Sequence, residues 1–262
     1  MKKIVLANIG NRNLKFKGET YFSKTHGSTF REWTKNLLDN FEENKPLLTI
    51  NILNDLLDSL NGEIEQVILF PSNQINEEKQ DQDTIFEGEI LHKLIKEKYN
   101  VAVDSSKQVT CKVTDNDALL RFYRKELKSI KQNFPSHKLV ICDAGGTAQQ
   151  KSALKIMAEF LLDEADYQVS YVNPNGVLED VPQLEYRKVI EIEQLTALTQ
   201  NGNFLAAHQL ALKQNWVEIT NLCQIGYLRL EHLWSDAQKL VLKEWENDEY
   251  KFLKAFKNEK TG

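Results

Sequence analysis

Apolar positions along this chain fall into two alternating patterns. Short runs rich in Val, Ile and Leu, each bounded by turn-forming residues, occupy 4–7, 66–70, 138–142 and 168–172. Runs that are apolar at nearly every position suit strands covered on both faces. Between them, segments 30–41, 47–60, 84–99, 115–134 and 148–163 carry apolar residues three or four positions apart and predict amphipathic helices. Strands alternating with helices predict an α/β fold, a doubly wound, mainly parallel Rossmann-like sheet. Asn173-Pro174-Asn175-Gly176 is a strong turn signal, and from about Ile192 onward nearly every segment predicts helix. The expected division is an α/β domain over 1–184 and a helical C-terminal subdomain or connector over 185–262.

Composition narrows the class. Of the 262 residues, 41% are hydrophobic and 27% charged, with 11 Gly and 5 Pro, which excludes collagen-like and disordered chains. The net charge of −5 argues against a protein that tracks long nucleic acids, which needs a basic face. Cys111, Cys142 and Cys223 are isolated and odd in number, so neither a disulfide framework nor a zinc site is expected. His26, His92, His137, His208 and His232 show no metal spacing, and no cofactor is expected either. The opening MKKIVLANIGN reads as a first strand rather than a signal peptide. No run approaches the roughly 18 apolar residues of a membrane span. A cytoplasmic location is the expectation.

The C-terminal part from Glu185 has 10 basic and 11 acidic residues, so it is not a basic arm. Trp216, Trp234 and Trp245 fall on a pattern with Leu210, Leu222, Leu230, Leu233, Leu240 and Leu253. Such spacing suits a helical core, or alternatively a dimer or partner surface. The polar run 76–83 is expected to be a solvated loop, placed to gate a site if one lies beneath it.

Two turns carry the candidate chemistry. The strand at 138–142 runs into Asp143-Ala144-Gly145-Gly146-Thr147-Ala148-Gln149-Gln150 and then into a helix. Two glycines let the backbone approach a ligand and turn its N–H groups outward, and a helix N-terminus adds partial positive charge. The same residues equally serve a tight strand-to-helix turn with Thr147 as N-cap. A second polar turn, Asn8-Ile9-Gly10-Asn11-Arg12-Asn13, follows the first strand. In open α/β sheets ligands sit beyond the carboxyl ends of the strands, so both turns would share one rim. There Asn8 and Asn11 offer amides to bases or sugars, and Arg12 can pair with phosphate.

These turns resemble those of the CRISPR-associated Rossmann-fold, or CARF, sensor domains. The resemblance lies in the Asn-x-Gly turn Asn8-Ile9-Gly10-Asn11 and the later Gly145-Gly146-Thr147 turn. It extends to the segment Gly202-Asn203-Phe204-Leu205-Ala206-Ala207, which is similar to a helical hairpin that often follows such domains. It implies a CARF-like ligand-binding domain over 1–184, forming a homodimer that holds a cyclic oligoadenylate second messenger across its two-fold axis. A four-adenylate ring is the commonest case in that family. A two-fold dimer presents each turn twice to a symmetric anion, with Gln149 and Gln150 as the nearest amides for reading adenine. The function implied is an antiviral signalling sensor that controls an effector domain or protein.

Family effectors include RNases with Arg followed four to six residues later by His, and no arginine here has such a partner. The length suits a sensor with a helical appendage and leaves little room for a catalytic effector; the expectation is either a complete protein of 262 residues or the sensor half of a longer polypeptide whose effector lies beyond. Glu126-Leu127-Lys128 mimics part of a nuclease motif but falls within a helical segment. Some relatives cleave their own ring by attack of a ribose 2′-hydroxyl. Ser23, Lys24, Thr25, Lys107 and Arg12 are the residues that would stabilise such a step.

Two other readings are weighed. Asp143-Ala144-Gly145-Gly146-Thr147 also resembles the phosphate turn of actin-like small-molecule kinases, in which that turn joins two strands. A ligand-free protein-interaction module would use the same glycines only structurally. On the sensor reading, Gly146→Glu is expected to block phosphate while leaving the dimer intact.

Overall fold

The computed structural model describes residues 2–21, 27–75, 78–172, 178–181 and 186–245. The turn signal at 173–176 lies outside them. The chain divides into two compact units, Met1–Leu184 and Glu185–Gly262.

The first unit is built on a central strand β1 (Lys3–Asn8), flanked by β4 (Ile64–Phe70) and β6 (Lys138–Cys142). β5 (Ala102–Asp104) extends the sheet beyond β4. β7 (Tyr167–Val172) and β8 (Leu178–Val181) extend it beyond β6, giving the order β5-β4-β1-β6-β7-β8. Every pairing in this six-stranded sheet is parallel except β7 with β8. The α/β, doubly wound Rossmann-like architecture expected from the sequence is therefore observed.

The strands are apolar throughout because both faces are covered. Val5 and Ala7 face a core shared with helices α1 (Phe30–Asp39), α3 (Ile52–Ser59) and α4 (Ile85–Tyr99). Ile4 and Leu6 point the other way, into a core shared with α5 (Asn116–Asn133) and α6 (Ala148–Leu161). This two-residue alternation, with both sets fully buried, is what a parallel sheet between helix layers demands. Burial of Ile4, Val5 and Leu6 contributes roughly 1.5–3 kcal/mol each, and that of the smaller Ala7 less.

The helix expected over 47–60 is corrected by the structure. Its first residues form the short strand β3 (Leu48–Ile50), antiparallel to β2 (Leu14–Phe16), and α3 starts only at Ile52. Thr49 and Ile50 are β-branched, and a partner strand distant in sequence outweighed the local helical spacing. A short helix, α2 (Phe41–Asn44), and a 3₁₀ turn over Lys45–Leu47 lead into β3. The run 76–83 is also corrected in part. Asp83 is fully buried, whereas a solvated loop was expected; residues 76 and 77 lie outside the described residues.

The second unit consists of α7 (Tyr186–Gln200), α8 (Phe204–Lys213), α9 (Val217–Leu230) and α10 (Trp234–Trp245). Asn203 caps α8 by accepting from the Ala206 amide. Small residues at Ala207, Ala211 and Cys223 let these helices approach around Leu195, with Leu198, Leu210, Trp216 and Ile219 packed against them. The Phe204 ring lies against Gly226, where a Cβ would come within 2.6 Å of it. The expected core is only partly realised, since Leu230, Leu233 and Trp234 are exposed. The Trp245 side chain and Leu253 lie outside the described residues. Among the described residues no helix is long and apolar enough to cross a membrane.

Candidate ligand-binding rim

The chain leaves β1 toward β4 and β5 on one side, and later enters β6 and β7 on the other. The switch point of the sheet therefore lies between β1 and β6. Both candidate turns leave the carboxyl ends of these two neighbouring parallel strands, the position where ligands bind in open α/β sheets.

The first turn is held from inside. Gly10 donates its amide to Asn13 Oδ1 at 2.8 Å, and the amides of Arg12 and Asn13 return to the Gly10 carbonyl. Asn51 clasps the far end, its Nδ2 donating to the Arg12 carbonyl and its amide to that of Asn13. Asn8 is buried, and its Oδ1 accepts from the Tyr123 hydroxyl of α5 at 2.6 Å. Ile9 points into the core, so only its backbone is near the rim. Asn11 and Arg12 are exposed.

The second turn enters α6 through a capping box. Thr147 Oγ1 accepts from the Gln150 amide, and Gln150 Oε1 accepts from that of Thr147. Gln150 is thus buried and committed to the cap rather than presented to a base, while Gln149 is half-exposed. By helix geometry the amides of Ala148 and Gln149 lack intrahelical acceptors. Asp143 accepts from Lys155 at 2.8 Å, and Ala144 packs on the core.

The two turns touch. A Cβ on Gly10 would stand 2.7 Å from the Gly146 amide nitrogen, and one on Gly145 would overlap the Asn8 carbonyl oxygen. Gly146 has a φ of +75°, and a Cβ there would come 2.7 Å from that of Asn8. The glycines are therefore required by the seam between the turns. Gly146→Glu would strain this contact, so it does not isolate a phosphate path as expected from the sequence.

Two buried amide nitrogens border the seam without a hydrogen-bond partner: Nδ2 of Asn8 and Nδ2 of Asn13. Beneath the first turn lies Glu87 of α4, fully buried, with the backbone amides of Leu14 and Asn13 nearest its carboxyl. Desolvation pushes its carboxyl well above the usual range, an effect that the nearby backbone amides of Leu14 and Asn13 only partly offset. Burial likewise raises the Tyr123 hydroxyl, which stays protonated and able to donate to Asn8.

Of the residues considered for ring cleavage, Lys107 is paired with Glu126 at 2.7 Å, and Ser23, Lys24 and Thr25 lie outside the described residues. Tyr123, Glu87 and Asn51 carried no sequence signal, because each falls within an amphipathic or polar segment that local pattern explains. Among the described residues no group of three or more His, Cys, Asp or Glu is placed to hold a metal ion.

Fold and rim together define an α/β domain of the doubly wound class with two abutting polar turns at its switch point, in a chain that also carries a helical unit. No protein-family model matches the chain, and no curated protein matches it. Its structure is similar to that of Csm6 from Enterococcus italicus bound to cyclic hexa-2'-fluoro-hexa-dAMP, with a TM-score of 0.56 and 14% sequence identity. The match covers 88% of this chain and 54% of Csm6, so the chain spans about half the length of that protein. The likeness is one of fold.

Proposed function

We propose that this protein is a sensor of cyclic oligoadenylates, bound by a homodimer on the rim formed by the two turns. The observation that carries the reading is the direct contact between the Gly10 and Gly145-Gly146 turns at the β1/β6 switch point. It brings the amides at the start of α6 and the exposed Arg12 to one edge of one sheet. Backbone N–H groups and a helix N-terminus hold phosphate without a lysine. Arg12, supplied twice by a two-fold dimer, adds countercharge around a symmetric ring. The likeness to a Csm6 whose structure holds a cyclic hexanucleotide analogue supports the same ligand class. A two-fold site accommodates even-membered rings, so both cyclic tetra- and hexa-adenylate belong to the proposal, with control of an effector as the output.

The kinase alternative has lost its basis, since residues 148–161 form the helix α6 rather than the second strand of a hairpin.

Calorimetry against cyclic tri-, tetra- and hexa-adenylate, linear AMP, ATP and NAD tests the reading. The expected result is tight binding of one even-membered ring, at one ring per two chains. Arg12→Glu is expected to weaken that binding at least about tenfold and flatten its salt dependence without altering the melting temperature. Preference for ATP or NAD, or silence toward every ring, would overturn it.

A further inference from the structure

Both turns are tied to one buried ion pair. Arg31, near the start of α1, donates from Nη1 to Asp83 Oδ2 at 3.0 Å and from Nη2 to Asn73 Oδ1 at 3.1 Å. Its guanidinium also lies over the Phe86 ring. The Asp83 side chain is completely buried, and accepts in addition from the Gln74 amide at 2.7 Å and from Gln74 Nε2 at 2.9 Å. Gln74, itself buried, then accepts from the Val113 amide at 3.0 Å. The Val113 carbonyl accepts from Thr147 Oγ1 at 2.9 Å, the same hydroxyl that caps α6. A second branch starts one residue on. Thr84 Oγ1 donates to the Ile9 carbonyl at 3.2 Å and accepts from the Ser72 amide at 2.9 Å.

The links are hydrogen bonds among groups that are buried or half-buried, joined through the backbone at Val113 and between Asp83 and Thr84. Buried polar groups of this kind hold one arrangement because any other leaves a donor or acceptor unpaired in low dielectric. Asp83 is the branching point. One carboxylate orients Gln74 by both its amide and its side chain, and Gln74 in turn fixes the segment that anchors Thr147.

We propose that Asp83, clamped by Arg31, is the positioning residue of the ligand rim: it holds the glycine turn before α6 and the turn after β1 in register across the seam. This rests on the sensor reading only for the ligand. The register itself is a property of the protein alone.

The test uses the full chain with Asp83→Asn, which keeps the shape but removes the charge and one acceptor. Leu37→Ala serves as a control that loosens the α1 core elsewhere. Two readouts are taken: amide hydrogen exchange at Val113 and Thr147 without ligand, and affinity for cyclic tetra- and hexa-adenylate. Asp83→Asn is expected to speed exchange at both amides and weaken ring binding about tenfold or more, while Leu37→Ala leaves both near wild type relative to its global stability. Arg31→Lys keeps the charge but loses the two-pronged fork, and is expected to give the same pattern more mildly, so the test survives if Asp83→Asn does not fold. Wild-type exchange at Val113 and Thr147 in Arg31→Lys or Asp83→Asn overturns the positioning role. Accelerated exchange in a protein whose wild type binds no ring upholds the positioning role and overturns the sensor reading instead.

Discussion

Replacing Tyr123 by Phe removes one oxygen from the centre of the site and tests whether Asn8 is locked in place. The ring itself is kept: Tyr123 is fully buried in α5 and meets Phe70 and Phe122 edge-on at 5.5 and 5.1 Å between centroids. What is lost is the 2.6 Å hydrogen bond to Asn8 Oδ1, in a side chain whose Nδ2 already lacks a partner. An orphaned buried acceptor costs about 1–3 kcal/mol, so the variant should be destabilised by about that amount. For a unit of this size that corresponds to a fall of about 2–12 °C in melting temperature. Urea denaturation should show a lower midpoint with an unchanged slope, since the surface exposed on unfolding is the same. Asn8→Ala and the double variant complete a cycle, in which a coupling of at least about 1 kcal/mol is expected. A midpoint equal to wild type, or a cycle that adds without coupling, would show that Tyr123 does not hold Asn8.

Glu87 predicts a pH dependence. An unfolded Glu ionises near about pH 4.3, whereas buried Glu87 keeps its proton to higher pH, so between those values the folded state binds more protons. Stability should therefore be greatest below about pH 4.3 as far as this group is concerned, and fall with rising pH by about 1.4 kcal/mol per unit until the folded group ionises. Glu87→Gln should remove that slope in denaturation measured from pH 5 to 8; an unchanged slope would place the titration elsewhere. Gly10→Ala should be less stable by about 1–3 kcal/mol because its Cβ meets the Gly146 backbone, and Gly145→Ala by more, since it meets the Asn8 carbonyl, both read from urea denaturation. A Gly10→Ala variant as stable as wild type would show that the seam does not exclude a Cβ there. Burial pushes the Cys142 thiol up to about 11 and raises those of Cys111 and Cys223. A disulfide reagent at pH 8 should thus modify the native protein slowly and the unfolded protein at all three thiols; rapid native labelling would contradict the burial.

Local pattern was enough to assign the parallel-sheet class, because strands buried on both faces must be continuously apolar and the helices between them must repeat at 3.6 residues. Lys138–Cys142 and the start of α6 at Ala148 follow directly from that constraint and from the Thr147 cap. The two polar turns were also legible, since glycine and asparagine at strand ends mark sharp bends. Three things were decided only by tertiary structure. Leu48–Ile50 became a strand because Leu14–Phe16, far away in sequence, offered it a ladder of hydrogen bonds. The glycines at 10 and 145 turned out to face each other's backbones, a requirement that arises only once β1 and β6 lie side by side. Asp83 left a charged run that reads as solvated and was buried, because Arg31 and Gln74 together satisfy a carboxylate that water would otherwise have to satisfy. Periodicity records what each segment must hide from water; which polar groups will find one another is settled only when the segments meet.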